Sequence, residues 1–332
     1  MSKFKSFLAN DIEGFISFRR SLGFIYDPND FRSLFSSFDK YLKEKGKNWD
    51  DLTPAFILEF RSQLSLEPYS INRRMSALRV LFDYLVRLDR ITQNPVKNIP
   101  NLKVDAFVPF IFSDEQVDQL LKAIQIKIRP RNKAHFLTDL GVYTIISLIA
   151  RCGLRISEPL KLKDDHFRSN EATIYIENSK FGKDRLIPIP SSVVCMINNF
   201  VSIRNSIIDK NECEYIFTSA QGRITTRSIY PRYDNALKDL NFNLSRQKFT
   251  NITFGKPTPH SLRHSFAVNT LKNASKKGKK PENILPVLAA YMGHADYRYT
   301  MMYLKVIDSE LRNSWVDFYS YKKNCDKSKG NQ

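Results

Sequence analysis

The sequence has few cysteines and no long apolar run. Four of its 332 residues are cysteine, and no two of them share a CxxC spacing: Cys152, Cys195, Cys213 and Cys325. This pattern indicates neither a disulfide framework nor a zinc site. The longest nearly apolar run, residues 140–150, falls short of the ~20 residues that a membrane span requires, and the first residues form no apolar segment of signal-peptide type. We therefore expect a cytoplasmic protein with no membrane partner.

Glycine is scarce as well, with 11 residues, whereas apolar residues make up 42% and aromatic residues 12% of the chain. Such a composition can build hydrophobic cores, which excludes a wholly disordered or fibrous protein. At roughly 100–200 residues per domain, the length of the chain predicts two domains.

Acidic residues are outnumbered by basic ones, since 52 Lys and Arg against 34 Asp and Glu give a net charge of +18. Residues 1–106 carry 17 basic and 13 acidic residues, or +4, so the remaining 226 residues carry 35 and 21, or +14. An excess of this sign attracts polyanions and favours a nucleic-acid partner. Charge alone leaves open a basic protein that has no nucleic-acid function.

The first part of the chain is predicted to be helical. Apolar residues recur at three- and four-residue steps in four segments, at about 4–22, 30–45, 53–64 and 70–88. Residues 91–110 contain three prolines and no helical period, which is typical of a connection. We therefore predict a helical N-terminal domain over residues 1–98 and an extended linker over residues 99–110.

The second part is predicted to be α+β. Ser113 is a good N-cap for one helix, and a mostly apolar helix at about 136–151 should end at Gly153. Alternating apolar residues then predict two short antiparallel strands joined by a turn at Phe181-Gly182, with helices again beyond residue 190. The overall prediction is a mainly α protein with a small antiparallel β-sheet, whose second domain spans residues 111–324 and whose tail spans residues 325–332.

One candidate site lies in TPHSLRHSF at 258–266. Thr258 can cap a helix there, and His260 and Arg263 then share one face of its first turn. Free backbone N–H groups at a helix start already favour an anion, so a phosphate suits this position. A chance pairing of the two residues on a basic helix remains open.

Two further cations lie near predicted chain reversals. Arg155 follows the Gly153 turn, where a guanidinium can present two donors to phosphate oxygens. Its alternative is an ion pair with Glu158. Lys180 lies at the tip of the predicted hairpin, in SKFGK, where a solvated lysine is the alternative.

The last candidates lie in YMGHADYRYTMMYLKV, where His294 follows Gly293 and Tyr303 comes nine residues after His294. A phenol, with a pKa near 10, needs cations and a proton acceptor around it to act as a nucleophile. Tyr303 can instead be a core residue, and Tyr297 and Tyr299 are rival nucleophiles with a poorer spacing.

Taken in order, ARCGLRISE, SKFGK, TPHSLRHSFA and MGH with a tyrosine nine residues on resemble the tyrosine recombinase (phage integrase) family. The segment KKGKKPENILPVLAAYMGHADYRYTMMYLKV is similar to recombinases carried by transposons. The chain departs from the family pattern at Tyr299, where Thr is frequent, and at Lys305, where His is common. The resemblance implies a core-binding domain and a catalytic domain that together form a C-shaped DNA clamp.

The resemblance also implies a reaction. Tyr303 attacks a DNA phosphodiester to form a 3′-phosphotyrosyl bond, while Arg155 and Arg263 hold the phosphate. Lys180 protonates the leaving 5′-hydroxyl.

The two histidines complete the implied set. His260 serves as general base and His294 donates a hydrogen bond to the phosphate, while Glu158 orients His260 or an arginine. No cofactor and no metal ion is implied.

The implied function is site-specific recombination, as in DNA integration or transposition, through a Holliday junction. Its partners are double-stranded DNA at specific sites and a homotetramer on two such sites, with other recombinases as further partners. The segment after Tyr303 has apolar residues at helical spacing, and we expect it to dock on a neighbouring protomer or on its own domain: Leu311, Trp315, Phe318 and Tyr319. A type IB topoisomerase and a catalytically inactive DNA-binding regulator are the alternatives.

Overall fold

A computed structural model describes residues 4–23, 28–177, 184–209, 213–294, 300–301 and 303–304. The chain divides into two compact units, Met1–Asp105 and Ala106–Gln332. Across the described residues no helix is both long and apolar enough to cross a membrane.

The first unit is helical, as predicted. Its helices are α1 (Ala9–Ser21), α2 (Pro28–Lys45), α3 (Pro54–Ser62) and α4 (Pro68–Arg87). Phe38 is fully buried between these helices, with its ring edge-on to Phe60 and Phe82 at centroid distances of 5.1 and 6.0 Å. Aromatic rings in such a core bury large apolar areas, which stabilises a small helical unit.

The predicted first helix begins later than the apolar period suggested. It starts at Ala9 rather than near Phe4, because the backbone N–H groups of Lys5 and Ser6 donate to the buried carboxylate of Asp39 on α2. This tertiary contact holds the first residues outside the helix.

The segment predicted as an extended linker is anchored at both ends. Its first half packs on the first unit, where the Asn72 side chain both donates to the Leu102 carbonyl and accepts from its N–H at 2.8 Å. Its second half contains β1 (Ala106–Val108), which pairs with a strand of the second unit. Each part of the segment therefore belongs to one unit.

The second unit is built around a central apolar helix. Its helices are α5 (Asp114–Ile126), α6 (Lys133–Cys152), α7 (Ser191–Ile207), α8 (Thr226–Asp239), α9 (Pro259–Lys276) and α10 (Pro281–Met292). Helix α6 packs against α5, α7, α8 and α9, so its residues are buried on nearly every side. As predicted, Ser113 caps α5 and α6 ends at Gly153, which has a φ of +61°.

The predicted hairpin is confirmed. Strands β2 (Phe167–Arg168), β3 (Thr173–Ile176) and β4 (Arg185–Pro188) form an antiparallel sheet in which Ile176 pairs with Arg185. The tip that carries Lys180 lies outside the described residues.

The expectation of helix alone beyond residue 190 is wrong. The structure adds a small pair, β5 (Thr218–Ser219) and β6 (Gly222–Arg223), and a hairpin, β7 (Gln247–Phe249) and β8 (Ile252–Phe254). Strand β8 also pairs in parallel with β1. That partner lies more than 140 residues away in sequence, so local periodicity could not reveal it.

The Gly153 turn gives a test of the fold. A Cβ at Gly153 would lie 2.3 Å from the Phe266 ring, in addition to the strain of a positive φ. We expect Gly153→Ala to lower the free energy of unfolding by about 2–5 kcal/mol, since a left-handed alanine costs about 1–2 kcal/mol and overpacking about 1–3 kcal/mol. Denaturant unfolding of the wild type and of Gly153→Ala measures this loss of stability.

Gly278 provides the matched control, because it also has a positive φ but a Cβ there meets nothing within 4 Å. Gly278→Ala should cost only the backbone part, about 1–2 kcal/mol. Equal losses at the two positions would contradict the role of the Phe266 contact.

Candidate functional site

Most of the candidate residues lie at helix boundaries of the second unit. Arg155 follows the end of α6, whereas His260 and Arg263 lie in the first turns of α9, where Thr258 accepts the Ser261 N–H as the predicted cap. His294 follows α10, which ends at Gly293 with a φ of +66°. The sequence signals for helix starts and stops thus located these helix boundaries correctly.

Arg263 connects two of these boundaries. Its side chain is 2% exposed, and it donates to the carbonyls of Gly153 and Met292, at 2.6 Å each. Burial lowers the pKa of Arg263 to about 10, and the charge of Arg155 adds to this effect. The guanidinium is therefore still protonated at neutral pH, and its position is fixed by backbone atoms.

Arg155 forms the ion pair with Glu158 that the sequence analysis gave as an alternative to phosphate binding, and it also contacts the chain at the end of α10. Its guanidinium donates to Glu158 Oε1 and to the Gly293 carbonyl, at 2.8 Å each, and its backbone N–H donates to Glu158 Oε2 at 2.8 Å. Arg155 and Arg263 thus both bind the chain around the C-terminal end of α10. The structure brings the two arginines together.

A third guanidinium was missed by the sequence analysis. Arg185 on β4 donates to both oxygens of Glu158, at 3.1 and 2.9 Å, and to the Tyr291 carbonyl at 3.0 Å. It shares the inner face of β4 with the buried Ile187. An arginine at an inward position of an alternating strand is the signal that could have found it.

Glu158 is the shared partner of this cluster. Its carboxylate is 4% exposed, pairs with Arg155 and Arg185, and lies 4.0 Å from Arg263. Burial by itself raises the pKa of Glu158, but hydrogen bonds from Arg185 and Arg155 and the nearby positive charges outweigh it, so the net pKa is lowered. The sequence analysis expected Glu158 to orient either His260 or an arginine. Its described contacts are with arginines.

Tyr303 is buried and faces α9. It is 2% exposed, it packs in an apolar cluster with residues of α9 and α10, and its hydroxyl lies 2.9 Å from Nδ1 of His264. Burial raises the pKa of Tyr303 to about 12, although Arg263 and Arg155 act to lower it. The phenol is therefore protonated in this structure.

His264 is a second residue that the sequence analysis missed. It directly follows Arg263, and its ring lies edge-on to that of His260, with centroids 4.6 Å apart. Burial, followed by the charges of His260 and Arg263, lowers the pKa of His264 to about 3. The sequence did show the residue in LRHSF, but the spacing argument used only His260 and Arg263.

His294 also lies near Tyr303, with ring centroids 6.4 Å apart. Its Nδ1 is 2.7 Å from the hydroxyl of the buried Thr300. Burial and then the charges of Arg263 and Arg155 lower the pKa of His294 to about 4, so the ring is neutral near pH 7. A threonine hydroxyl that donates to Nδ1 leaves the ring proton on Nε2, where it can serve a ligand.

Several sequence predictions fall outside the described residues: Lys180, Tyr297, Tyr299, Lys305 and the C-terminal segment from residue 305. Within the described part of the chain, no group of three or more His, Cys, Asp or Glu side chains could hold a metal ion.

Comparison with known proteins shows the family to which the chain belongs. The Phage integrase family profile matches residues 111–310, and the profile "Phage integrase, N-terminal SAM-like domain" matches residues 29–88. The chain belongs to the phage integrase family. It is a tyrosine recombinase, an enzyme that cleaves and rejoins DNA in site-specific recombination.

Individual relatives match along most of their length. Tyrosine recombinase XerD of Oceanobacillus iheyensis is 27% identical over 93% of this chain and 97% of its own. Among solved structures, the Tn1549 transposon integrase in complex with transposon right end DNA is 18% identical, covers 92% of this chain and 99% of its own, and has a TM-score of 0.61. A lambda integrase tetramer bound to a Holliday junction is 15% identical, covers 87% and 77%, and has a TM-score of 0.60.

The neutral histidines predict how stability depends on pH. An unfolded histidine has a pKa of about 6.5, whereas the folded pKa is about 4 for His294 and about 3 for His264. At pH values between the folded and unfolded pKa, the unfolded chain therefore binds more protons than the folded chain. Stability is therefore complete above about pH 6.5 and falls on acidification through this window. The lowered pKa of Glu158 adds a loss below its unfolded value of about 4.3.

Urea unfolding at pH 7.5, 6.0 and 5.0 measures this dependence. The variant with both His264→Asn and His294→Asn should lose less stability than the wild type between pH 7.5 and 5.0. A double variant that loses as much as the wild type over this range would contradict the assignment.

Proposed function

We propose that Tyr303 is the nucleophile that cleaves one strand of duplex DNA. Its oxygen attacks the phosphorus, the bond to the 5′ oxygen breaks, and a 3′-phosphotyrosyl bond and a 5′-hydroxyl result. The observation that carries the proposal is the convergence of Arg155, Arg263 and Tyr303 around α9 and the end of α10. These residues are distant in sequence and come together only in the fold.

The arginines supply fixed positive charge. Attack on a phosphodiester builds negative charge on the non-bridging oxygens, and donors that are already oriented stabilise that charge without reorganising. Arg155 and Arg263 are held by the carbonyls of Gly293, Gly153 and Met292, which fixes their orientation. We therefore assign the phosphate to this pair.

The proton transfers are assigned to other side chains. His260 is exposed in the first turn of α9 and acts as general base during cleavage, and as acid in the reverse step. His294 donates a hydrogen bond from Nε2 to the phosphate, whereas Lys180 transfers a proton to the departing 5′ oxygen. Each such transfer is typically worth about 10²–10⁴-fold in rate.

The cleaved state keeps its bond energy, because one phosphate ester replaces another. Attack by the 5′-hydroxyl of a partner strand then rejoins DNA with a new partner, and two such exchanges pass through a Holliday junction. We propose a homotetramer on two DNA sites for this reaction. The tetrameric lambda integrase structure on a Holliday junction, which has the same fold, supports this assembly.

The two units divide the binding. The helical domain, residues 1–98, contains residues 29–88, which match the SAM-like domain of phage integrases, and we assign this domain to core-site DNA. The catalytic domain, residues 111–324, carries the larger share of the positive charge, so binding should weaken with salt. Since its substrate is chromosomal or mobile DNA, we place the reaction in the cytoplasm, at the nucleoid. The likeness to a transposon integrase supports a role in a mobile element.

Trapping on a nicked duplex tests the nucleophile. When the fragment after the cleaved bond diffuses away, the wild type should accumulate a covalent complex whose modified peptide contains Tyr303. Tyr303→Phe should abolish the complex while retaining DNA binding, because only the phenolic oxygen is lost. Tyr297→Phe and Tyr299→Phe are the matched controls, and a complex lost in either of these but kept in Tyr303→Phe would refute the assignment.

Replacement of each arginine tests the phosphate clamp. Arg155→Lys and Arg263→Lys keep the positive charge but lose the planar guanidinium. A lysine cannot reproduce the bonds of Arg263 to two carbonyls, or those of Arg155 to a carbonyl and a carboxylate. We expect each to slow single-turnover cleavage by about 10²–10³-fold, the usual cost of removing one donor from the transition state. Arg168→Lys, on a surface pair with Glu171, should cleave at the wild-type rate.

A further inference from the structure

His264 has no role in the proposed mechanism, although its side chain lies at hydrogen-bond distance from the Tyr303 hydroxyl. Its Nδ1 lies 2.9 Å from the phenolic oxygen. The two rings are edge-on, with centroids 5.7 Å apart and an interplanar angle of 61°. This is hydrogen-bond distance to the atom that would attack the phosphate.

The surroundings of Tyr303 make this contact important. The rest of the ring packs against apolar side chains of α9 and α10: Ala267, Val268, Leu271, Leu285, Leu288 and Met292. None of these side chains can bind a hydroxyl. A buried hydroxyl is costly without a hydrogen-bond partner, so the contact with His264 stabilises the hydroxyl in this position.

The surroundings of His264 keep its ring neutral. Burial comes first, and positive Arg263 is adjacent in sequence while the ring of His260 lies 4.6 Å from that of His264, so a positive charge on His264 is disfavoured. A neutral imidazole has one donor and one acceptor nitrogen, and a protonated phenol can both donate and accept. The hydrogen bond therefore joins a neutral imidazole to a neutral phenol.

Helix α9 connects this bond to the phosphate clamp. Arg263 and His264 are consecutive residues of the same helix, and Arg263 is fixed by the carbonyls of Gly153 and Met292. The hydroxyl of Tyr303 is therefore held in register with the guanidinium proposed to bind the phosphate. The apolar contacts hold the ring, and the contact with His264 holds the polar atom at the end of the ring axis.

We propose that His264 is a positioning residue for the cleavage step, which holds the Tyr303 oxygen against α9 so that it faces the phosphate bound by Arg155 and Arg263. This inference rests on the proposed role of Tyr303 as the nucleophile. His264 does not replace His260 as general base in this scheme, because its own basicity is low. Its contribution is the orientation of the attacking atom.

Single-turnover cleavage of a nicked duplex at saturating DNA tests the proposal with two variants. His264→Ala removes the hydrogen-bonding nitrogen and should slow cleavage by about 10–100-fold, the scale of a misplaced reacting group, with DNA affinity unchanged. His264→Asn sets an amide at the position of Nδ1 and should restore most of the rate. His135→Ala, at the start of α6 and away from the site, is the control and should leave the rate unchanged.

Each outcome decides the proposal. A slow alanine variant with a restored asparagine variant supports it. An alanine variant that cleaves at the wild-type rate or faster overturns it, and so does an asparagine variant that is as slow as alanine, because the loss then reflects packing. If His264→Ala does not fold, the asparagine variant and the following measurement decide.

Nitrogen NMR of the histidine rings gives a readout that a purely structural role would not move. The chain has five histidines, so the ring signals can be assigned by substitution. We expect the Nδ1 resonance of His264 to shift in Tyr303→Phe, because that variant lacks the hydroxyl that contacts Nδ1. An unchanged His264 signal in Tyr303→Phe overturns the inference, whereas covalent trapping in that variant would overturn the proposed nucleophile instead.

Discussion

The buried carboxylate of Glu158 is the group on which the rest of the site depends. It accepts from Arg155 and Arg185 and lies 4.0 Å from Arg263, so one negative charge holds three positive ones in a small buried volume. Without it, guanidinium groups taken out of water at this spacing would repel one another at a large cost. Three positive charges less one negative charge leave a surplus of two. On the proposed mechanism that surplus meets the DNA phosphate, so the same interaction makes the fold possible and gives the site its charge.

Helix ends provide the second constraint. The carbonyls bound by Arg263 and Arg155 belong to Gly153, Met292 and Gly293, at the C-terminal ends of α6 and α10, where unpaired carbonyls and the helix dipole favour a cation. Helix α6 is the most enclosed helix of the second unit, so its end cannot shift without repacking the core. The apolar pattern of α6, which has no chemistry of its own, thereby fixes where the guanidinium groups point. A glycine ends each of the two helices because the backbone there has a positive φ, which glycine adopts without steric strain.

The sequence predicted those parts of the fold and of the site that depend on local signals. Helix caps and stops located the turns that carry Arg155, Arg263 and His294, and alternation located the β3–β4 hairpin. Arg185 was missed because its partner is a carboxylate 27 residues away, reached only when β4 is placed in the sheet. The strand β8 was missed for the same reason, since its pairing with β1 is tertiary. Local periodicity identifies elements, but the contacts between elements decide which polar side chains turn inward.

The state of Tyr303 limits how the proposed reaction can proceed. Its hydroxyl is protonated, with a pKa of about 12, and the charges of Arg263 and Arg155 are what act to lower that pKa. A phosphate bound to the same arginines would offset their charge, so it would remove the influence that favours the phenolate. Binding of DNA would therefore make prior ionisation of the nucleophile harder rather than easier. It follows that the proton must leave as the oxygen attacks, when charge moves onto the phosphate and the arginines stabilise it there. A proton acceptor positioned beside an oriented hydroxyl is then a requirement of the site, which is why the proposed chemistry needs both a base and a fixed direction of attack.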